Sequence, residues 1–169
     1  MIKSNIQDTD FSVNGRELRI KNAHIFYRNF AGKERAPYNK EGDRNFCVEL
    51  DEGTAQYLMD QGWARIKSQV DPDDDQAQPV WYIQVRVRYD NYPPSVYLVT
   101  SKKRLLNDHT VMLLDDADIE KADIVIRGSY YDYLGKTGYT PYLTRGYITI
   151  VEDEFDMAYA DIPTDGYED

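Results

Sequence analysis

The chain has 169 residues, with 30 Asp and Glu against 20 Lys and Arg and a formal net charge of −10. That length supports one domain with a core of its own, while a single cysteine excludes a disulfide framework or a Cys-based zinc site and fits a reducing compartment. The opening MIKSNIQDTDFSVNG lacks the basic start and long apolar run of a secretion signal. No stretch nears the roughly 20 apolar residues of a membrane span, so a soluble cytoplasmic protein without membrane contact is expected.

In chain order, ELRIKNAHIFYRNF (17–30) is rich in β-formers, with Leu18 and Ile20 on one face and Arg19 and Lys21 on the other. Its alternation slips at Asn22-Ala23, which predicts a bulge or bend. AGKERAPYNKEGD (31–43) reads as a loop, basic at Lys33, Arg35 and Lys40. RNFCVEL (44–50) alternates again, with Phe46, Val48 and Leu50 inward. DEGTAQYLMDQG (51–62) is the one clear helix, with Asp51 to cap it and Gly62 to end it. WARIKSQV (63–70) reads as a short strand and 71–79 as an exposed acidic loop.

VWYIQVRVRY (80–89) is the cleanest strand: Trp81, Ile83, Val85, Val87 and Tyr89 point one way, and Tyr82, Gln84, Arg86 and Arg88 the other. DNYPP turns the chain and SVYLVTS (95–101) returns it. The stretch 102–122 reads as a loop with a short helical piece. DIVIRGSYYDYL (123–134) and TRGYITIVED (144–153) read as strands around a turn, GKTGYTP (135–141). Together these predict a mainly β fold, a small barrel with one helix between strands. Residues 1–151 form its domain. Residues 152–169 form a flexible acidic C-terminal tail: eight acids and no Lys, Arg or His lie in 151–169.

Motifs that suggest chemistry fail on spacing. GKTG at 135–138 has Tyr130 where a phosphate loop needs glycine, so it reads as a turn. DPDDD at 71–75 is followed by Gln76 instead of glycine, and Tyr82 stands where a calcium loop needs glutamate. Two histidines and a lone Cys47 on a strand compose no catalytic pattern. No catalytic residue, metal site or cofactor is expected.

Aromatics and cations interleave instead, in four segments. Tyr27 and Arg28 lead into the basic loop; Tyr82, Arg86 and Arg88 share a strand face; Arg127 and Tyr131 lie on the next long strand; Tyr142 and Arg145 follow. Cations that track phosphates and rings that stack on unpaired bases are what a groove for single-stranded nucleic acid needs, at about 1–3 kcal/mol per stacked base. The predicted contacts are therefore Tyr27, Arg28, Lys33, Arg35, Lys40, Tyr82, Arg86, Arg88, Arg127, Tyr131, Tyr142 and Arg145. Two rival readings stay open: an acidic inhibitor that mimics DNA, and a structural or assembly protein whose Tyr-rich strands are a protein interface.

FYRNFAGKERAPYNKEGDRNFCVEL, the helix after it and the later VRYDNYPPSVYLVTSKK are similar to segments of phage-encoded single-stranded DNA-binding proteins. The likeness spans most of 17–151 and extends in kind to the acidic end. It implies an oligonucleotide/oligosaccharide-binding (OB) barrel, no cofactor, and a role in DNA replication or recombination in an infected bacterial cell. A DNA polymerase or helicase would then meet the tail at Phe155, Asp156, Asp161, Asp165, Glu168 and Asp169, and a homodimer is compatible with it. One departure stands out: bacterial single-strand binders end in Asp-Ile-Pro-Phe, whereas six residues follow Pro163 here. The tail also offers a reason for its own charge. A polyanion on a polyanion-binding protein competes for the basic groove until DNA displaces it.

Overall fold

The structure, a computed structural model, describes residues 2–151 and the backbone of a short strand at 167–168. Its elements are β1 (Asp10–Asn14), β2 (Glu17–Lys21), β3 (Ile25–Asn29), β4 (Arg44–Leu50), α1 (Glu52–Asp60), β5 (Ile66–Gln69), β6 (Val80–Val87), β7 (Ser95–Val99), β8 (Lys103–Leu106), α2 (Leu113–Asp116), β9 (Ile119–Tyr133), β10 (Lys136–Ile150) and β11 (Tyr167–Glu168). The mainly β expectation holds. No helix among the described residues is long and apolar enough to cross a membrane.

The strands order as β1-β2-β9-β10-β6-β4-β3. β2 and β3 are two halves of one run of chain, bent where Asn22 takes φ 56°, at the point where the sequence alternation slips. The first half pairs with β9 and the second with β4. The path β2-β9-β10-β6-β4-β3 therefore returns to the run it left, and the sheet wraps around one core. Leu18, Ile20, Phe46, Val48, Leu50, Ile83, Val85, Ile124 and Ile126, on the inward register of their strands, fill that core together with Phe30, which follows β3.

The wrap is thinnest between β6 and β10, which meet in register only at Tyr142 and Arg86. The segment after α1 fills the gap. Asp51 caps that helix by accepting from the Thr54 N–H at 2.6 Å, and Leu58 and Ala55 face the core. Trp63 then forms a parallel bridge with Tyr139, and its indole lies where a Cβ on Gly128 would come within 2.9 Å of Cζ2. The Gln84 N–H donates to the Arg65 carbonyl at 3.0 Å, and the Ala64 N–H to the Tyr139 carbonyl at 2.9 Å.

The turn expected over 135–141 and the segments that form β1 and β8 need correction, whereas 71–79 is the loop expected. The turn expected over 135–141 is confined to Leu134 and Gly135, both at positive φ, and Lys136–Pro141 continue β10 opposite Gly128–Tyr133. Gly138 and Pro141 argue locally for a turn, but cross-strand rings hold the hairpin: the Tyr131 hydroxyl would sit 2.7 Å from a Cβ on Gly138, and Tyr130 meets Tyr139 edge-on at 5.8 Å. β1 and β8 form where no strand was expected, each as a hairpin partner to a stronger neighbour, β2 and β7. In the 71–75 loop the acids serve turns, with Asp71 and Asp74 accepting from the Asp73 and Gln76 N–H groups at 2.9 Å each.

Candidate nucleic-acid interface

Arginines gather at the thin seam. On β6, Gln84 and Arg86 point outward, and Arg88 follows the strand's end. Arg65, held at φ 67°, donates from Nη1 to Gln84 Oε1 at 2.9 Å, Gln84 donates to Asn45 Oδ1 at 3.3 Å, and Asn45 donates to Asn39 Oδ1 at 2.7 Å. This chain of amides fixes the floor of a trough of ≈ 630 Å³, lined among others by Tyr38, Arg44, Arg65, Arg86, Arg88 and Tyr89. Burial and then the neighbouring Arg86 lower the pKa of the Arg65 guanidinium. Like charges held this close repel, and a bound anion relieves the repulsion. Arg44 is committed to the scaffold: it donates to the Phe30 and Asp108 carbonyls at 2.9 and 3.0 Å and lies 5.4 Å from the Tyr89 ring centroid. Burial pushes the Tyr89 phenol up to about 12.

A second trough of ≈ 630 Å³ shares Arg88 with the first and is lined by Tyr92, Arg127, Ser129 and Tyr142 among others. Arg88 forks onto Asp90, with Nε–Oδ1 at 3.2 Å and Nη2–Oδ2 at 2.7 Å. Its pKa is raised by that hydrogen bond and by a second one with Tyr142, while Arg88 holds the Asp90 carboxyl below its ordinary range. Each trough has an almost fully exposed tyrosine at its rim: Tyr38 at 89 % and Tyr92 at 90 %. A ring that finds no cover among the described residues is available to a ligand.

The β9–β10 hairpin extends this surface. Opposed residues share a face, and the pairs Tyr142–Arg127, Thr140–Ser129, Gly138–Tyr131 and Lys136–Tyr133 set rings and cations along one side of it. The other side carries Tyr139 and Gly128 against Trp63.

Of the predicted contacts, Arg86, Arg88, Arg127, Tyr131 and Tyr142 come together on this surface. Lys33, Arg35 and Lys40 are exposed on the loop whose Tyr38 and Asn39 wall the first trough. Arg145 is exposed beyond a bulge in β10, opposite Ser95 of β7. Tyr27 is half exposed and edge-on to Phe26 at 5.0 Å. Two others are engaged elsewhere. Arg28 donates to the Leu114 and Ala117 carbonyls, both at 2.7 Å, and so closes the end of α2. Tyr82 is only 9 % exposed, packed with Phe26 and Cys47 in a minor core, so no face of it is open to stacking. Phe155, Asp156, Asp161, Asp165 and Asp169 lie outside the described residues, and Glu168 is described only by its backbone pairing with Lys103.

Residues that the sequence reading passed over are Tyr38, Tyr92, Arg65 and Lys136. An aromatic inside APYN or DNYPP, where turn-formers leave nothing to bury it, was the available signal for the two tyrosines. Arg65 had none, because its place depends on the contact of 63–65 with β10.

The family model described as a putative phage ssDNA-binding domain matches residues 9–168. No curated protein matches the sequence. Among solved structures, the fold is similar to the single-stranded DNA-binding protein from bacteriophage Enc34 in complex with ssDNA, at 13 % identity and TM-score 0.53 over 88 % of this chain and 99 % of that one. It is likewise similar to the C-terminal truncation of that protein, at 13 % identity and TM-score 0.52, covering 82 % and 87 % of the two chains. A third structure of the Enc34 protein aligns at 12 % identity and TM-score 0.51, over 86 % of this chain and 89 % of that one. At these identities the likeness is one of fold.

Proposed function

This chain belongs to the family of putative phage ssDNA-binding domains, and from that premise we propose that it binds single-stranded DNA without sequence preference across the two troughs joined at Arg88. The observation that carries this reading is the juxtaposition of Arg65, Arg86, Arg88 and Arg127 with Tyr38, Tyr92 and Tyr142 on one continuous surface. Phosphates neutralise the cations and release condensed counterions, and bases lie on the rings. The return of the strand path to its starting run supports taking the scaffold as an OB-type barrel. Tyr131, Tyr133 and Lys136 on the hairpin and Lys33, Arg35 and Lys40 on the loop extend the path at either side.

In this reading the protein coats exposed strands during phage DNA replication or recombination. Its acidic C-terminal segment competes weakly for the cationic surface and, once displaced by DNA, meets a basic partner such as a polymerase or helicase. A mobility assay with matched single- and double-stranded oligonucleotides tests the core of this proposal. Selective retardation of the single strand is the expected result. Equal retardation of both, or of neither, contradicts it.

A further inference from the structure

The outward face of the β4–β6 pair does not stop at Arg86. Cross-strand neighbours on it are Asn45–Arg86, Cys47–Gln84 and Glu49–Tyr82, and β5 adds Lys67 opposite Tyr82. At the Tyr82 end, Phe26 and Tyr27 from β3 stand edge-on to the Tyr82 ring at 5.5 and 6.5 Å. Three rings beside an exposed lysine have the composition of the open troughs, yet only Tyr27 at the rim is half exposed. The cover is the chain's own start. Ile2 packs on the cluster of Phe26, Cys47 and Tyr82.

What holds that cover is polar. Glu49, 1 % exposed, accepts from Ser4 Oγ at 2.5 Å and from the Asn5 N–H at 2.8 Å, and His24 Nδ1 lies 2.8 Å from the same carboxylate. A buried carboxylate is costly unless its oxygens are occupied, and among the described residues two of its three partners come from residues 4 and 5. Ser4 and Asn5 are themselves exposed, so the segment is fastened mainly by this one acceptor and by Ile2.

We propose that residues 2–5 are a strap over a second base-stacking subsite, formed by Phe26, Tyr27 and Tyr82 with Lys67 for a phosphate, which long single strands reach by displacing the strap. The ligand class is an unpaired stretch of nucleic acid continuing from the Arg86 trough, so the subsite rests on the single-stranded DNA reading. It gives that reading two footprints, a short one with the strap closed and a longer one with it open.

Cys47, buried under the strap and the only cysteine, reports its position without reference to DNA. The test compares the full chain, a chain lacking residues 2–5, and Ser4→Ala, which removes one hydrogen bond and leaves the packing of Ile2. A neutral maleimide is applied at pH 7.5, with and without dT oligonucleotides of increasing length. The expected result is labelling about tenfold faster in the shortened chain and measurably faster in S4A. Long dT should suppress labelling in the shortened chain, and short dT should not. Unchanged labelling in both variants overturns the strap. Faster labelling that bound long dT leaves unaffected overturns the subsite while the open groove stands. Failure of every chain to bind dT sinks the groove and the subsite together, even if labelling shows that the strap moves.

Discussion

The two ends of the β4–β6 outer face are built by the same alternation and end in opposite conditions. At one end Arg86 and Asn45 front an open trough; at the other, Tyr82 and Glu49 are buried beneath Phe26 and the chain's first residues. Strand periodicity fixes which side a residue takes. It does not fix whether that side meets water, because the cover comes from residues 44 and 45 positions away in sequence. An aromatic on the outer register of this strand is therefore covered at one end, whereas a cation at the other lines an open trough.

Substitutions separate the two ends. Tyr82→Ala should cost about 3 kcal/mol or more of folding stability, by the scale of large-to-small changes in packed sites, and urea denaturation measures it. Arg86→Ala should stay within about 0.5 kcal/mol in the same experiment. A Tyr82 variant as stable as the parent would mean that the minor core is not packed. Next in size are the rim rings. Tyr38→Ala and Tyr92→Ala should each weaken dT binding by about 1–3 kcal/mol and leave the urea midpoint in place, which fluorescence titration resolves. A smaller effect is expected of Gly138→Ala, whose Cβ would press on the Tyr131 hydroxyl at 2.7 Å and the Gly62 carbonyl at 2.9 Å. It should displace Tyr131 and lower affinity by a few-fold, with little change in overall strand content by circular dichroism. Last comes pH. Burial raises both Cys47 and Tyr89 to about 12, so the folded chain keeps these protons where the unfolded chain releases them. The contribution of these two groups to stability is then unchanged below about pH 8.5 and declines through about pH 9–12. Cys47→Ala should flatten the lower part of that decline.

Much of this comparison was legible in the sequence. The outward Gln84, Arg86 and Arg88 and the inward Ile83, Val85 and Val87 follow from alternation alone, and Asp51 and Gly62 bracket the helix. The bend in the first long strand shows in the slip at Asn22-Ala23. What could not be read depends on contacts distant in sequence. Gly138 and Pro141 look like turn residues until the Tyr131 and Tyr139 rings lie across the hairpin. Arg28 resembles a free cation until α2 presents its carbonyls. Tyr38 and Tyr92 belong to loops without periodicity, so nothing in the alternation of the strands announces their exposure.

The central claim is that nucleic acid lies on the charged seam, and its most direct test is the salt dependence of poly-dT binding by the parent chain and by an Arg86→Ala/Arg88→Ala double variant. The parent should show a steep negative slope of log affinity against log salt. The variant should bind more weakly, with a slope shallower by about 1.4, two phosphate contacts at roughly 0.7 each for a single strand. Identical slopes for the two proteins would place the strand elsewhere on the molecule.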